Sequence, residues 1–151
     1  MKIKEVEAYI IKNSRGEDAV EVRVNKRYVA AAPSGASTGK FEVKAFPKKG
    51  IKFSVGCVNN FKDLKGMKFD EFGDLAFFDD FIQTWGGNTV MAVQSAVLKA
   101  MSENKVWKFL NPKAKKMPTP LGNCIGGGMH TRKKGEDVQE FLLIPSGKTF
   151  E

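Results

Sequence analysis

The strongest constraint on the fold of this chain is a change in the spacing of its apolar residues near Gly50. Before that point, apolar and polar residues alternate over 3–11 and again over 19–24, a period of two that is typical of half-buried strands. Residues 25–27 have the composition of a tight hairpin turn, and residues 28–31 return as a third strand. The sequence therefore predicts an antiparallel three-stranded meander over residues 3–31.

After Gly50 the apolar residues recur at intervals of three and four, which predicts a helical segment over about residues 55–110. The longest helix is expected over residues 88–103, where Asn88 follows two glycines and is a candidate N-cap. Its apolar stripe consists of Val90, Val93, Val97, Ala100 and Met101. A small sheet followed by a helical segment predicts an α+β fold.

Between the two regions lies a loop rich in small residues, Pro33-Ser34-Gly35-Ala36-Ser37-Thr38-Gly39. Two glycines bracket two adjacent hydroxyl groups, so the loop has little to hold it by packing and could close over a small charged ligand. A solvated turn is the alternative, and composition alone does not separate the two. A nucleotide-binding P-loop is excluded by spacing, because three residues instead of four separate the glycines and Phe41 follows Lys40.

Composition and net charge indicate what class of protein this chain belongs to. The 151 residues are 42% hydrophobic and 28% charged, which fits one soluble globular domain with an appendage. The net charge of +8 could favour nucleic acid, but a solvated basic surface is preferred because the aromatic residues lie within apolar patterns. Cys57 and Cys124 are predicted to be two buried, reduced thiols. A signal peptide and membrane spans are not indicated, and a cytoplasmic protein is expected.

Four stretches, in order, resemble one family. Residues 31–39 are similar to the mobile active-site loop of enolase, the phosphopyruvate hydratase of glycolysis, and residues 13–22 to its Asp-Ser-Arg-Gly-Asn-Pro-Thr-Val-Glu-Val turn. Residues 118–130 resemble its Pro-Val-Pro…Asn-Gly-Gly-Ser-His segment, and residues 138–145 its Gln-Glu-Phe-Met segment. The chain departs from the pattern at Asn13, in residues 40–55, and by one extra residue between His130 and Glu140.

The resemblance implies a domain organisation and a set of site residues. Residues 1–112 would be the capping domain, and residues 113–151 a linker and the first segment of a β/α barrel whose remainder is absent. Ser37 would ligate Mg²⁺ as the loop of Ser34, Gly35, Ala36, Thr38 and Gly39 closes. His130 and Gln139 would contact substrate, Glu140 would be the catalytic carboxylate, and Arg15 and Glu21 would form ion pairs across a dimer interface.

The function implied is the reversible dehydration of 2-phosphoglycerate to phosphoenolpyruvate, with Mg²⁺ as cofactor. The family's lysine base, second glutamate, three metal-binding carboxylates and phosphate-binding arginine lie in the barrel, so this chain alone is expected to be inactive. The partners implied are the substrate, a separate or missing barrel domain and a second copy of the chain. The alternative is a stand-alone, non-catalytic binding or regulatory domain, and a nucleic-acid binder ranks last.

Overall fold

The computed structural model describes residues 1–35, 39–127 and 138–146. The chain divides into two compact units, Met1–Lys113 and Ala114–Glu151. Assignment of the first unit to a capping domain and of the second to the start of a barrel stays a prediction. Among the described residues, no helix is both long and apolar enough to span a membrane.

The first unit opens with the predicted meander. Strands β1 (Val6–Lys12), β2 (Asp18–Val24) and β3 (Tyr28–Ala32) form an antiparallel sheet in the order β1-β2-β3, with Ala8 opposite Val22 and Val22 opposite Ala30. The β2–β3 turn places Asn25 and Lys26 at φ of 51° and 60°, left-handed values that asparagine tolerates well. The prediction of an antiparallel three-stranded sheet is confirmed.

The helical segment follows, also as predicted. It comprises α1 (Gly50–Asn60), α2 (Ile82–Trp85), α3 (Gly87–Met101) and α4 (Val106–Leu110), with 3₁₀ turns at Lys62–Leu64 and Phe72–Phe81. The second 3₁₀ segment differs from the regular helix that the apolar spacing suggested. Its buried residues Leu75 and Phe78 recur after three positions, which matches the three residues per turn of a 3₁₀ helix.

The core lies between one face of the sheet and two helices. Helix α3 packs on β2 and β3, while α1 packs on β1. Val20, Val22 and Val24 are fully buried on the sheet, and Val93 and Val97 are fully buried on α3. Burying one such side chain contributes about 1.5–3 kcal/mol, so this layer contributes substantially to stability.

The start of α3 is held by backbone rather than by a side-chain cap. The N–H groups of Gly87 and Asn88 donate to the carbonyl oxygens of Lys44 and Ala45, at 2.9 and 3.1 Å. Gly86 has φ of 85°, and a Cβ there would lie 2.5 Å from the Ala45 oxygen, so only glycine fits. The prediction of Asn88 as the N-cap is wrong, since Asn88 lies inside the first turn and Gly86 precedes the helix.

The described part of the second unit is a hairpin. Strands β4 (Gly122–Gly126) and β5 (Glu140–Leu143) pair antiparallel, with a bulge at Cys124. Cys124 is exposed and donates its thiol hydrogen to the Phe141 carbonyl, whereas Cys57 is half-buried and burial raises its pKa. The prediction of two buried thiols is therefore wrong for Cys124, because both strands of this hairpin are exposed along their length.

Candidate functional site

The stem of the glycine-rich loop is held by an arginine from the first hairpin turn. One guanidinium nitrogen of Arg15, Nη2, donates to the carbonyl oxygens of Ser34 and Gly35 at 2.9 and 3.3 Å. The same side chain pairs with Glu17, with Nη2 2.8 Å from the carboxylate. The planar guanidinium presents several donors in a fixed geometry and can serve both partners at once. Arg15 thus fixes the point at which the loop leaves β3.

The turn that carries Arg15 is organised by Asn13. The side-chain oxygen of Asn13 accepts hydrogen bonds from the backbone N–H groups of Arg15 and Glu17 at 2.9 and 3.0 Å. The Asn13 amide group donates to the Glu17 carboxylate at 2.9 Å, and Gly16 takes φ of 76°. Asparagine therefore performs the turn-forming role of an aspartate and also contacts Glu17, which in turn orients Arg15.

A second contact to the loop stem comes from α3. The amide nitrogen of Asn88 donates to the hydroxyl oxygen of Ser34 at 3.2 Å, across 54 positions of sequence. Since the Asn88 backbone N–H is also bonded to Ala45, its position is set by the packing of residues 44–46 against the helix start. The sequence pointed to Asn88 only as a helix cap, and no local signal connects it to Ser34.

The two residues predicted for a dimer interface have partners within the chain. Arg15 contacts Glu17, as described, and Glu21 forms an ion pair with Arg23 at 2.9 Å. The Arg23 guanidinium also lies over the Tyr9 ring, 4.8 Å from its centre. A hydrogen bond with Glu7, followed by partial burial, raises the pKa of the Tyr9 hydroxyl above its ordinary value. Tyr9, Glu21 and Arg23 form a partly exposed polar cluster on the sheet, and the interface role of Arg15 and Glu21 stays a prediction.

The predicted residues of the second unit lie at the start of β5. Glu140 is exposed and stands opposite Gly126 in the hairpin, and the Gln139 carbonyl accepts a hydrogen bond from the Gly127 N–H at 2.8 Å. The hairpin therefore places Glu140 next to the glycine run that begins at Gly126. The other predicted site residues, Ala36, Ser37, Thr38 and His130, lie outside the described residues.

The described residues do not form a Mg²⁺ site by themselves. Within residues 1–35, 39–127 and 138–146, no group of three or more His, Cys, Asp or Glu side chains is arranged to hold a metal ion. Mg²⁺ prefers oxygen ligands in near-octahedral geometry and usually keeps several waters. The dependence on Mg²⁺ stays a prediction.

Fold and site define an α+β domain that holds the stem of a glycine-rich loop between a hairpin turn and the start of a helix. Curated proteins similar to this chain are enolases. The enolase of Methanothermobacter thermautotrophicus is 39% identical over 96% of this chain, and those of Picrophilus torridus and Metamycoplasma arthritidis are 33% and 35% identical over 98% and 99%. No protein-family model matches the chain. The chain is a homologue of the enolases.

The match covers only part of the length of each relative. The chain spans 38% of the length of the Methanothermobacter enolase and 40% of the length of the other two. Homology over nearly the whole chain supports the family assignment made from residues 13–22, 31–39, 118–130 and 138–145. The activity, substrate and partners of a complete enolase do not follow from a match of this extent.

Proposed function

We propose that this chain is the N-terminal part of an enolase, which takes part in the reversible dehydration of 2-phosphoglycerate to phosphoenolpyruvate once a barrel domain completes it. The observation that carries the proposal is the enolase homology across 96% of the chain, at 39% identity. Localisation in the cytoplasm belongs to the same proposal.

The proposal assigns the loop stem a positioning role. Arg15 and Asn88 hold Ser34 and Gly35 from two different elements, so the residues that follow start from a defined point. In the proposed assembly, Ser37 is a metal ligand and Ser34, Gly35, Ala36, Thr38 and Gly39 move with it. Preorganisation of this kind reduces the entropy that must be lost when a loop closes over substrate.

Charge supports the choice of substrate. The net charge of +8 creates a positive field that draws in a phosphorylated, carboxylated anion. In the proposal, His130 contacts the phosphate, Glu140 acts in water positioning or proton transfer, and Gln139 lies beside it. Mg²⁺, when bound by the complete assembly, would stabilise the negative charge that develops beside the substrate carboxylate. Arg15 and Glu21 are proposed for contacts with a second copy of the chain.

The test is turnover with and without a barrel. We expect the purified chain to give no phosphoenolpyruvate absorbance from 2-phosphoglycerate with excess Mg²⁺, and to give turnover when the unmatched part of a related enolase is added. In that assembly, Ser37→Ala and Glu140→Gln should each lower kcat by about 10²–10³, the cost typical of losing one charge-stabilising group. Glu103→Gln, an exposed change just after α3, is the matched control.

Two results would overturn the proposal, and a third would overturn the role of one residue in it. Turnover by the chain alone would show that the base and the main metal site are not supplied by a barrel. Failure of every stable chain–barrel complex to turn over would favour the non-catalytic alternative. Equal losses in Glu140→Gln and Glu103→Gln would remove the assigned role of Glu140.

A further inference from the structure

A cleft lies away from the loop, along the outer edge of β1. It has a volume of about 280 Å³ and is bounded by β1, the end of α1 and the 3₁₀ turn that follows. Its lining residues are Lys4, Glu5, Val6, Val58, Asn59, Phe61, Lys62, Leu64 and Lys65. We refer to it as the basic cleft, because three of these residues are exposed lysines.

The tertiary structure brings these lysines together from separate segments. The Asn25 side chain binds the N-terminal residues, accepting from the Lys4 N–H at 2.7 Å and donating to the Lys2 carbonyl at 3.1 Å. Lys2 in turn forms a β-bridge with Lys68. Two further lysines, Lys2 and Lys68, are thereby placed on the segments that flank the basic cleft.

The acidic groups near the basic cleft offset only part of this charge. Glu5, the one acid among the lining residues, is 3.8 Å from the Lys26 ammonium group. Asp70 lies near Lys68 but is bonded to the terminal amine of Met1 at 2.7 Å. Asp63 sits between Lys62 and Leu64 in sequence and does not line the basic cleft. Lys4, Lys62 and Lys65 therefore leave a local excess of positive charge.

The lining of the basic cleft offers a backbone hydrogen-bond donor but no aromatic ring that is free for base stacking. Both backbone groups of Ala8 are bonded to Asn59, so Ala8 faces the outer edge of β1, and Val6, two residues earlier, presents its N–H on the same edge. Phe61, the one aromatic residue of the lining, packs edge-on against Phe81 and Trp85 at 5.0 and 5.5 Å. Base stacking, which binding of single-stranded nucleic acid uses, is therefore not provided.

We propose that the basic cleft binds a small soluble anion that carries several linked phosphate groups. Ammonium groups on flexible stems act as point charges toward phosphate oxygens and need no fixed bidentate geometry. The volume of about 280 Å³ lies just below the range for small-molecule sites, about 300–1,000 Å³, which suits a small anion rather than a folded partner. This site is independent of the proposed enolase function.

The test uses the full 151-residue chain and inorganic triphosphate as the probe. We expect ¹⁵N amide shifts centred on Val6, Lys62 and Lys65, and a Kd from calorimetry that weakens as salt rises from 0.05 to 0.5 M, since exposed charges are screened. The triple variant Lys4→Gln/Lys62→Gln/Lys65→Gln should weaken binding at least tenfold. The control Lys52→Gln/Lys108→Gln/Lys113→Gln removes the same charge from exposed sites outside the basic cleft and should change Kd less than twofold.

Other ligands give the contradicting outcomes. ATP should bind as well as triphosphate does, because the base has nothing to stack on; much tighter binding of ATP would show that the ligand class is wrong. Equal weakening in both triple variants, or shifts spread over the whole surface, would show unspecific charge attraction. Tighter, cleft-dependent binding of an RNA oligonucleotide or of anionic vesicles would also overturn the proposal. If the triple variant fails to fold, the shift map of the unmodified chain decides on its own.

Discussion

The Asn59 side chain is predicted to contribute strongly to the stability of the first unit. At the end of α1, its amide oxygen accepts from the Ala8 N–H at 2.7 Å and its nitrogen donates to the Ala8 carbonyl at 3.0 Å. The side chain thus takes the place of a neighbouring strand on the edge of β1. Asn59→Ala removes both bonds and leaves two partly buried backbone groups without partners.

The cost can be estimated from these contacts. A net loss of about 1 kcal/mol per hydrogen bond, with a further penalty for an unsatisfied buried group, gives about 2–4 kcal/mol for Asn59→Ala. The neighbouring Asn60 makes one exposed bond to the Gly56 carbonyl, so Asn60→Ala should cost no more than about 0.5 kcal/mol. Asn59→Ala and Asn60→Ala therefore form a matched pair of variants, with the same substitution at adjacent positions.

Urea unfolding followed by circular dichroism measures the difference, and equal m-values for the variants would confirm that the extent of unfolding is unchanged. The reasoning would be refuted by equal midpoints for Asn59→Ala and Asn60→Ala. A cost below about 0.5 kcal/mol for Asn59→Ala would refute it as well, since the edge of β1 would then be satisfied by water.

Three further predictions concern single groups. The Thr89 hydroxyl is fully buried and has no hydrogen-bond partner among the described residues. Thr89→Val should therefore raise the free energy of unfolding by about 1 kcal/mol. A free energy of unfolding below that of the wild type would show that the hydroxyl does have a partner. Arg15→Ala should lower the ¹⁵N order parameters of Ser34 and Gly35 below about 0.6, whereas the exposed change Arg27→Ala should leave them unaltered. Backbone N–H groups of Glu71 and Asp70 lower the pKa of Asp74 from its usual 3.8. The ionised Asp74 carboxylate therefore stabilises the fold above pH 3.8, and this stabilisation is lost as pH falls through its lowered pKa. The urea midpoints of wild type and Asp74→Asn should converge at acid pH.

The regular elements could be predicted from the sequence because their signals are local. Alternation of Val20, Val22 and Val24 with Glu21 and Arg23 puts one face of a strand toward the core, and the structure buries those valines completely. The apolar stripe of α3 likewise needs only the 3.6-residue period. The four enolase-like stretches are local too, which is why the family could be inferred before any fold was known.

The contacts between distant residues depended on the tertiary structure. The Arg15 contact with Ser34 and Gly35, the Asn88 contact with Ser34, and the Asn59 contact with Ala8 join positions that are 19 to 54 residues apart. Each partner is an ordinary polar group whose local sequence fits several roles, as the prediction of Asn88 as a helix cap shows. Only the tertiary structure determines which of these polar groups form hydrogen bonds with one another.

Which charged residues lie together on the surface also depends on the tertiary structure. The sequence displays some of its basic residues as runs, such as Lys48-Lys49 and Arg132-Lys133-Lys134. The basic cleft is instead assembled from single lysines, Lys4 on the segment before β1 and Lys62 and Lys65 in and just after the turn that follows α1. The period of the apolar residues determined which faces are buried, and the four local stretches determined which family the chain resembles. Proximity in space, which the sheet register and the packing of α1 on β1 impose, decided which exposed charges act together.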